Sequence, residues 1–338
     1  MATIGGRATV IGAGSFGTAL TNVLAQTFET VSVWGREPHL VAHINEKHEN
    51  ATYLPGIPLA KNIRATTNLE EALSKSELVC TAIPSQFTRE VMRGATKFLP
   101  RQVPIITVSK GIENETLLTM TELLEDCLPE ELHPYIAVLS GPSFAKEMAL
   151  RQPTVVTIAS HWDKVALRCQ KAFQTESFRS YTTNDVVGVQ MGGALKNVIA
   201  IAAGISDGMN LGHNARAAII TRGLAEISRM AVRRGGNPLT LSGLSGMGDL
   251  VLTCTGELSR NRRVGMELGK GRTLEDILKE MTQVAEGVKT AKSARDLSRK
   301  IGVEMPICEQ VYCITHEGKA AKAAMMELMT RPPKAETM

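Results

Sequence analysis

The 338-residue sequence has no clustered cysteine pattern, no large excess of one charge and no uninterrupted membrane-length apolar run. Each absence removes a class of protein. The six cysteines, Cys80, Cys127, Cys169, Cys254, Cys308 and Cys313, are scattered, and several lie in apolar segments. A chain of this length needs no disulfide staple, so reduced thiols in a cytoplasmic protein are expected. Lys plus Arg number 38 against 34 for Asp plus Glu, and a net charge of +4 gives no argument for nucleic acid or a membrane surface as partner. The N-terminus runs directly into Thr9-Val10-Ile11-Gly12, without the apolar core and cleavage site of a secretory signal. The longest apolar stretch, 186–205, has the length of a bilayer span but carries Lys196 at its middle. A central Lys costs about 2.5–3.5 kcal/mol on insertion, and Gln190 and Asn197 add to that, so no integral membrane segment is expected.

Metal-binding patterns are also missing. His39 and His43 are four apart, but Leu40 and Val41 break the H-E-x-x-H pattern. Spacings of five and three put Cys308, Cys313 and His316 on different helix faces. No metal is expected.

What is present is ample core material, 43% hydrophobic against 21% charged, enough for about two domains and unlike a disordered chain. Apolar runs at Ala8–Ile11, Val31–Trp34, Leu78–Ile83, Ile105–Val108, Tyr135–Leu139, Val155–Ala159 and Phe178–Tyr181 alternate with helical spacing, such as Ser15–Thr27. Strands alternating with helices predict βαβ units and a parallel sheet covered on both faces. After about Asn184 the texture becomes helical, over 186–206, 214–234, 261–269, 273–281, 286–300 and 306–317. The expected fold is α/β. A doubly wound, mostly parallel sheet over 1–185 precedes an all-helical substrate and catalytic domain over 186–330, and residues 331–338 form a loose tail.

Gly12-Ala13-Gly14-Ser15-Phe16-Gly17 is a G-x-G-x-x-G directly after the first expected strand and opening the first expected helix. One glycine permits the tight turn, one lets a pyrophosphate approach the backbone, and the third lets helix and strand pack closely. This places a dinucleotide in a Rossmann-type unit. No Gly-Lys-Ser/Thr follows, so the loop is not a P-loop. An NAD-selective site would carry Asp or Glu at the end of the second strand, but here Arg36 stands there, 19 residues beyond Gly17, with Glu37 next to it. A guanidinium suits a 2′-phosphate, so NADP(H) is expected to be preferred, with NAD(H) possible.

Two segments place polar groups at the carboxyl ends of later strands, Ser109-Lys110-Gly111 and Ser140-Gly141-Pro142-Ser143. In the helical half, Lys196 interrupts an uncharged run of small residues. Further on, Ser259-Arg260-Asn261-Arg262-Arg263 could be a solvated basic helix start or a phosphate grip.

Taken together, G-A-G-S-F-G-T-A-L, S-K-G-I-E, S-G-P-S-F-A, G-A-L-K-N, G-L-S-G-M-G-D-L and S-R-N-R-R-V-G resemble, in order and spacing, bacterial NAD(P)-dependent sn-glycerol-3-phosphate dehydrogenases, from about residue 8 to 320. The resemblance implies reversible reduction of dihydroxyacetone phosphate, supply of glycerophospholipid synthesis in the cytoplasm, and a homodimer. It also implies Lys196 as catalytic acid/base. Lys110, Gly141, Ser143, Lys196, Asp249, Ser259, Arg260 and Asn261 would line the substrate. Ser15, Phe16, Arg36, Ala145, Val284 and Glu286 would contact the cofactor, with Lys110 and Arg260 also beside it and Tyr53 a further candidate by position.

Ketone reduction needs a hydride on carbon and a proton on oxygen. Lys196, with an ordinary amine pKa, would be protonated at neutral pH and could donate. Lys110 would polarise the same oxygen, and Asp249 would orient Lys196. Two rivals remain: a related dehydrogenase of another small phosphorylated hydroxy compound, and a non-catalytic NADP-sensing protein.

Overall fold

The computed structural model describes residues 4–281, 285–333 and 335–336. Its strands are β1 (Arg7–Ile11), β2 (Thr30–Trp34), β3 (Glu49–Asn50), β4 (Leu54–Pro58), β5 (Ile63–Thr66), β6 (Ser76–Thr81), β7 (Ile105–Thr107), β8 (Ile136–Ser140), β9 (Thr154–Ala159) and β10 (Phe178–Thr183). β3 and β4 pair as a small separate hairpin, and the other eight form one sheet in the order β10-β9-β8-β7-β6-β1-β2-β5. β1 lies between β2 and β6 and runs parallel to both, so the strand order reverses there. Open α/β sheets bind ligands at such a switch point, outside the carboxyl ends of the strands. The glycine loop begins at that end of β1.

The central strands read as continuous apolar runs because both faces are covered. Ala8, Val10, Val31 and Ile106 join a core with Leu20 and Leu24 of the helix Ser15–Leu24. Ile11, Val79 and Ile105 point the other way, into a core with Met92 and Leu124.

Two features depart from the expected sheet. β5 is an additional strand at the edge beyond β2, and β9 runs antiparallel to β8, with β10 following β9. The only helix between β8 and β9, Ala145–Ala149, has five residues and spans about 7 Å. The five-residue β8 is about 16 Å long, so this helix is too short to carry the chain back for a parallel return.

Beyond Thr183 the described residues form helices and no strand. The axis of this half is the helix Val186–Gly208, capped by the Asp185 carboxylate on the Gly188 N–H at 2.8 Å. It is long and apolar enough to cross a membrane, yet nearly all of it is buried inside the fold. A helix apolar all round belongs in a core. Its small residues set how closely its neighbours approach. A Cβ at Gly204 would collide with the Arg262 carbonyl, and one at Gly265 with the Ile201 carbonyl, so this helix and Arg260–Gly269 meet backbone to backbone.

Gln190 ties the helix to the sheet half. Its Oε1 accepts from the Thr121 N–H and its Nε2 donates to the Thr121 hydroxyl, both at 2.8 Å. These contacts fix where Lys196 stands relative to the strand ends.

Candidate active site

At the switch point the three glycines have three different surroundings. Gly12 has φ +121°, and a Cβ there would sit 2.5 Å from the Ala82 carbonyl oxygen. A Cβ at Gly17 would collide with the Gly12 carbonyl, so that glycine permits close packing of helix on strand. A Cβ at Gly14 would meet nothing within 4 Å. Its open side is where a pyrophosphate can approach the start of the helix Ser15–Leu24, which has no side-chain cap. The loop fits a dinucleotide by the shape of its backbone.

The loop is held from the hairpin side. The buried Asn50 amide donates to the Ala13 carbonyl at 2.8 Å, and its Oδ1 accepts from the Tyr53 N–H at 3.0 Å. Ser15 Oγ donates to the Tyr53 carbonyl at 2.6 Å. At the end of β2, the Arg36 side chain is exposed, without a hydrogen bond or ion pair to the described residues. The neighbouring Glu37 is engaged, its Oε1 accepting the Tyr53 hydroxyl at 2.9 Å. Ala145 opens the short helix that packs beside Ser15–Leu24. Val284 lies outside the described residues.

Lys110, after β7, and Lys196, on the central helix, converge on Asp249. Lys110 Nζ donates to Asp249 Oδ2 at 2.7 Å and to the Gly141 carbonyl at 3.2 Å. Lys196 Nζ donates to Asp249 Oδ1 at 2.5 Å and to the Thr253 hydroxyl at 2.8 Å. Lys196 is 6% exposed and Asp249 1%, so one buried carboxylate bridges two ammonium groups. Lys110 Nζ also lies 5.8 Å from the Phe16 ring centre, which joins this cluster to the glycine loop. The bridge connects residues 139 positions apart, from the two halves of the chain.

The electrostatics correct the ordinary lysine pKa expected for Lys196. Burial pushes the amine down to about 8, and the charge of Lys110 adds to that, while Asp249 opposes it. Burial would raise the Asp249 carboxyl, but the two lysines outweigh it and hold the group below the usual range. The result is a proton donor poised near neutral pH beside an ionised carboxylate.

Around this centre, Gly141 has φ +148° and a Cβ there would come 2.9 Å from Val156 Cα, while Ser143 Oγ donates back to the Gly141 carbonyl at 2.9 Å. Ser259 caps the helix Arg260–Gly269 by accepting from the Arg262 N–H at 3.2 Å. Arg260 is exposed in the first turn of that helix. Asn261 is buried with its amide already engaged, donating to Asn197 Oδ1 at 3.0 Å and accepting from the Gly287 N–H at 2.9 Å. Glu286 opens the helix Glu286–Ile301. Burial raises its carboxyl, opposed by Arg260, a backbone hydrogen bond from Ser85, Lys110 and Lys196.

Sequence reasoning missed Thr253. Its signal was spacing, four residues beyond Asp249 on the helix Asp249–Thr255, which puts both on one face. It also missed the Tyr53–Glu37 bond, which depends on how the β3–β4 hairpin folds over the glycine loop. Among the described residues no three His, Cys, Asp or Glu side chains group as metal ligands.

Comparisons with known proteins agree with this geometry. Residues 7–166 match the family described as NAD-dependent glycerol-3-phosphate dehydrogenase N-terminus, and 185–326 match its C-terminus. A glycerol-3-phosphate dehydrogenase [NAD(P)+] of Myxococcus xanthus is 74% identical over 330 residues, 98% of each chain. One from Anaeromyxobacter dehalogenans is 54% identical over 98% of this chain and 99% of its own. The crystal structure of the Coxiella burnetii glycerol-3-phosphate dehydrogenase superposes with a TM-score of 0.91 at 36% identity, covering 96% of this chain and 99% of that one. The chain belongs to the NAD(P)-dependent glycerol-3-phosphate dehydrogenase family.

Proposed function

We propose that the Lys110–Asp249–Lys196 cluster performs the proton chemistry of an NAD(P)H-dependent reversible reduction of dihydroxyacetone phosphate to sn-glycerol 3-phosphate. The observation that carries this reading is the single buried carboxylate holding two lysines from opposite halves of the chain, beside a dinucleotide loop. When bound, the nicotinamide supplies the hydride. Gly12, Gly14, Ser15, Phe16 and Gly17 would hold the pyrophosphate end of the cofactor, with Arg36 and Tyr53 towards the adenosine ribose and Lys110, Ala145, Arg260 and Glu286 at the rest of the cleft.

Lys196 gives its proton to the ketone oxygen as negative charge develops there, and takes it back in the reverse direction. Lys110 stabilises the negative charge developing on the same oxygen. Asp249 keeps the two ammonium groups together against their mutual repulsion, and Thr253 fixes the direction of the Lys196 amine. Arg260 and the start of its helix hold the substrate phosphate away from the reacting carbon, with Gly141, Ser143 and Ser259 shaping the pocket. The Asn261 amide supports that helix start through Asn197 and Gly287. A nucleotide sensor without chemistry would give the two lysines no chemical task.

The division at about residue 185 separates the dinucleotide-binding part from the substrate part, supported by the change from β10 to the long helix at Val186. Arg36, exposed while Glu37 is engaged, supports NADP(H) as the preferred cofactor, with NAD(H) also used. Family resemblance supports a cytoplasmic enzyme supplying glycerophospholipid synthesis. It also supports a homodimer.

The pH dependence tests the role of Lys196. Glycerol 3-phosphate oxidation needs the neutral amine, whose population grows as pH rises through a pKa of about 8. Between pH 7 and pH 9 the neutral fraction rises about tenfold, so the initial rate of oxidation should rise similarly and then level off. The reductive direction uses the protonated amine and should decline over the same interval. Initial rates of the chemical step that stay flat from pH 7 to 10 in both directions would remove Lys196 as the titrating group.

A further inference from the structure

The Tyr53–Glu37 hydrogen bond has no part in the proton chemistry, yet it sits where a dinucleotide's adenosine ribose would be read. Two charged side chains of opposite sign follow β2. Arg36 is exposed, with no hydrogen bond or ion pair among the described residues, whereas Glu37 is half-buried and turned onto the Tyr53 hydroxyl at 2.9 Å, its other oxygen 3.6 Å from the exposed His39 ring. An acidic side chain at this end of β2 is the group that accepts a ribose 2′-hydroxyl, and it repels a 2′-phosphate. Tyr53 is no loose partner. Its N–H bonds to Asn50, its carbonyl receives the Ser15 hydroxyl, and Asn50 is itself bonded to the loop carbonyl of Ala13 and to Thr18 Oγ1 at 2.7 Å. The tyrosine is therefore fixed to the same loop that cradles the pyrophosphate.

We infer that Tyr53 is a specificity-determining residue: by holding the Glu37 carboxylate it withholds that group from the ribose 2′-position and leaves Arg36 to meet a 2′-phosphate. This rests on the reading that Arg36 faces the adenosine ribose. The Glu37 charge also acts back on its partner, since the bond and burial together raise the Tyr53 phenol pKa and keep it a donor.

The test is direct binding of NADPH and NADH by calorimetry, alongside the ratio of kcat/KM for the two cofactors, in Tyr53→Phe. Phenylalanine keeps the ring of this partly exposed residue, and the Ser15 and Asn50 bonds go to backbone atoms that remain. A freed carboxylate gains a charged hydrogen bond to NADH and opposes NADPH, so the ratio of the two Kd values should move about tenfold towards NADH. Adding Glu37→Gln to that variant should return most of the shift. Equal weakening of both cofactors, or a shift that survives Glu37→Gln, overturns the inference. Arg36→Ala separates the underlying reading: it should weaken NADPH more than NADH, and an unchanged ratio in that variant removes the ribose assignment itself.

Discussion

Replacing Lys196 with alanine is expected to lower kcat by at least about 100-fold, the lower range for loss of a positioned acid/base. The substitution should leave the protein folded. Asp249 remains paired with Lys110 at 2.7 Å, so no buried charge is stranded. Phosphate binding is assigned to Arg260 and its helix, so KM for dihydroxyacetone phosphate should change far less than kcat. A parallel fall in kcat and kcat/KM is the signature of an interaction made in the transition state. Lys196→Met, which keeps more of the side-chain volume, should be as inactive as alanine, because the missing element is the proton and not the packing. Steady-state kinetics with a thermal melt on each variant checks this, and near-normal turnover in a folded Lys196→Ala protein would sink the assignment.

Gly204→Val is expected to produce a large loss of stability in the helical half. The Cβ would collide with the Arg262 carbonyl, which is backbone in a helix and has no rotamer to escape into. The helix Val186–Gly208 would have to move away from Arg260–Gly269, opening the core around Val198, Ile201, Val264 and Leu268. Overpacking of this kind costs about 1–3 kcal/mol and occasionally more. In a protein of this size that lowers Tm by roughly 1.5–4 °C. The movement also displaces Lys196 and the Arg260 helix start, so residual folded protein should lose affinity for substrate as well. Calorimetry of the purified variant measures both; a Tm indistinguishable from that of the parent would show that the helices do not depend on this approach.

Most of the sheet was legible because its inner strands are buried on both faces and read as unbroken apolar runs, such as Leu78–Ile83. β5 was not. It has four residues at the sheet edge, and Arg64 within it is exposed, so no apolar run announces it. Pro55, Gly56 and Pro58 likewise hide β4. Strand direction is absent from periodicity altogether, so the reversal between β8 and β9 had to come from the structure. At the site, the glycine loop was readable from spacing, because its function is local backbone shape. Lys110 and Lys196 stood out by position, one at a strand end and one inside an apolar run, whereas the role of Asp249 was legible only in a motif resembling a family. That one carboxylate would bridge both amines is a long-range fact no local pattern contains. The lowered Lys196 pKa follows from the same cause, since burial depends on what the other half of the chain packs against it.

The central claim is tested most directly by following absorbance at 340 nm in purified protein supplied with dihydroxyacetone phosphate and either NADPH or NADH. The account predicts loss of the reduced cofactor that depends on the phosphorylated ketone, occurs with both cofactors, and is more efficient with NADPH. No turnover with either cofactor, in protein shown by its melting transition to be folded, would contradict it.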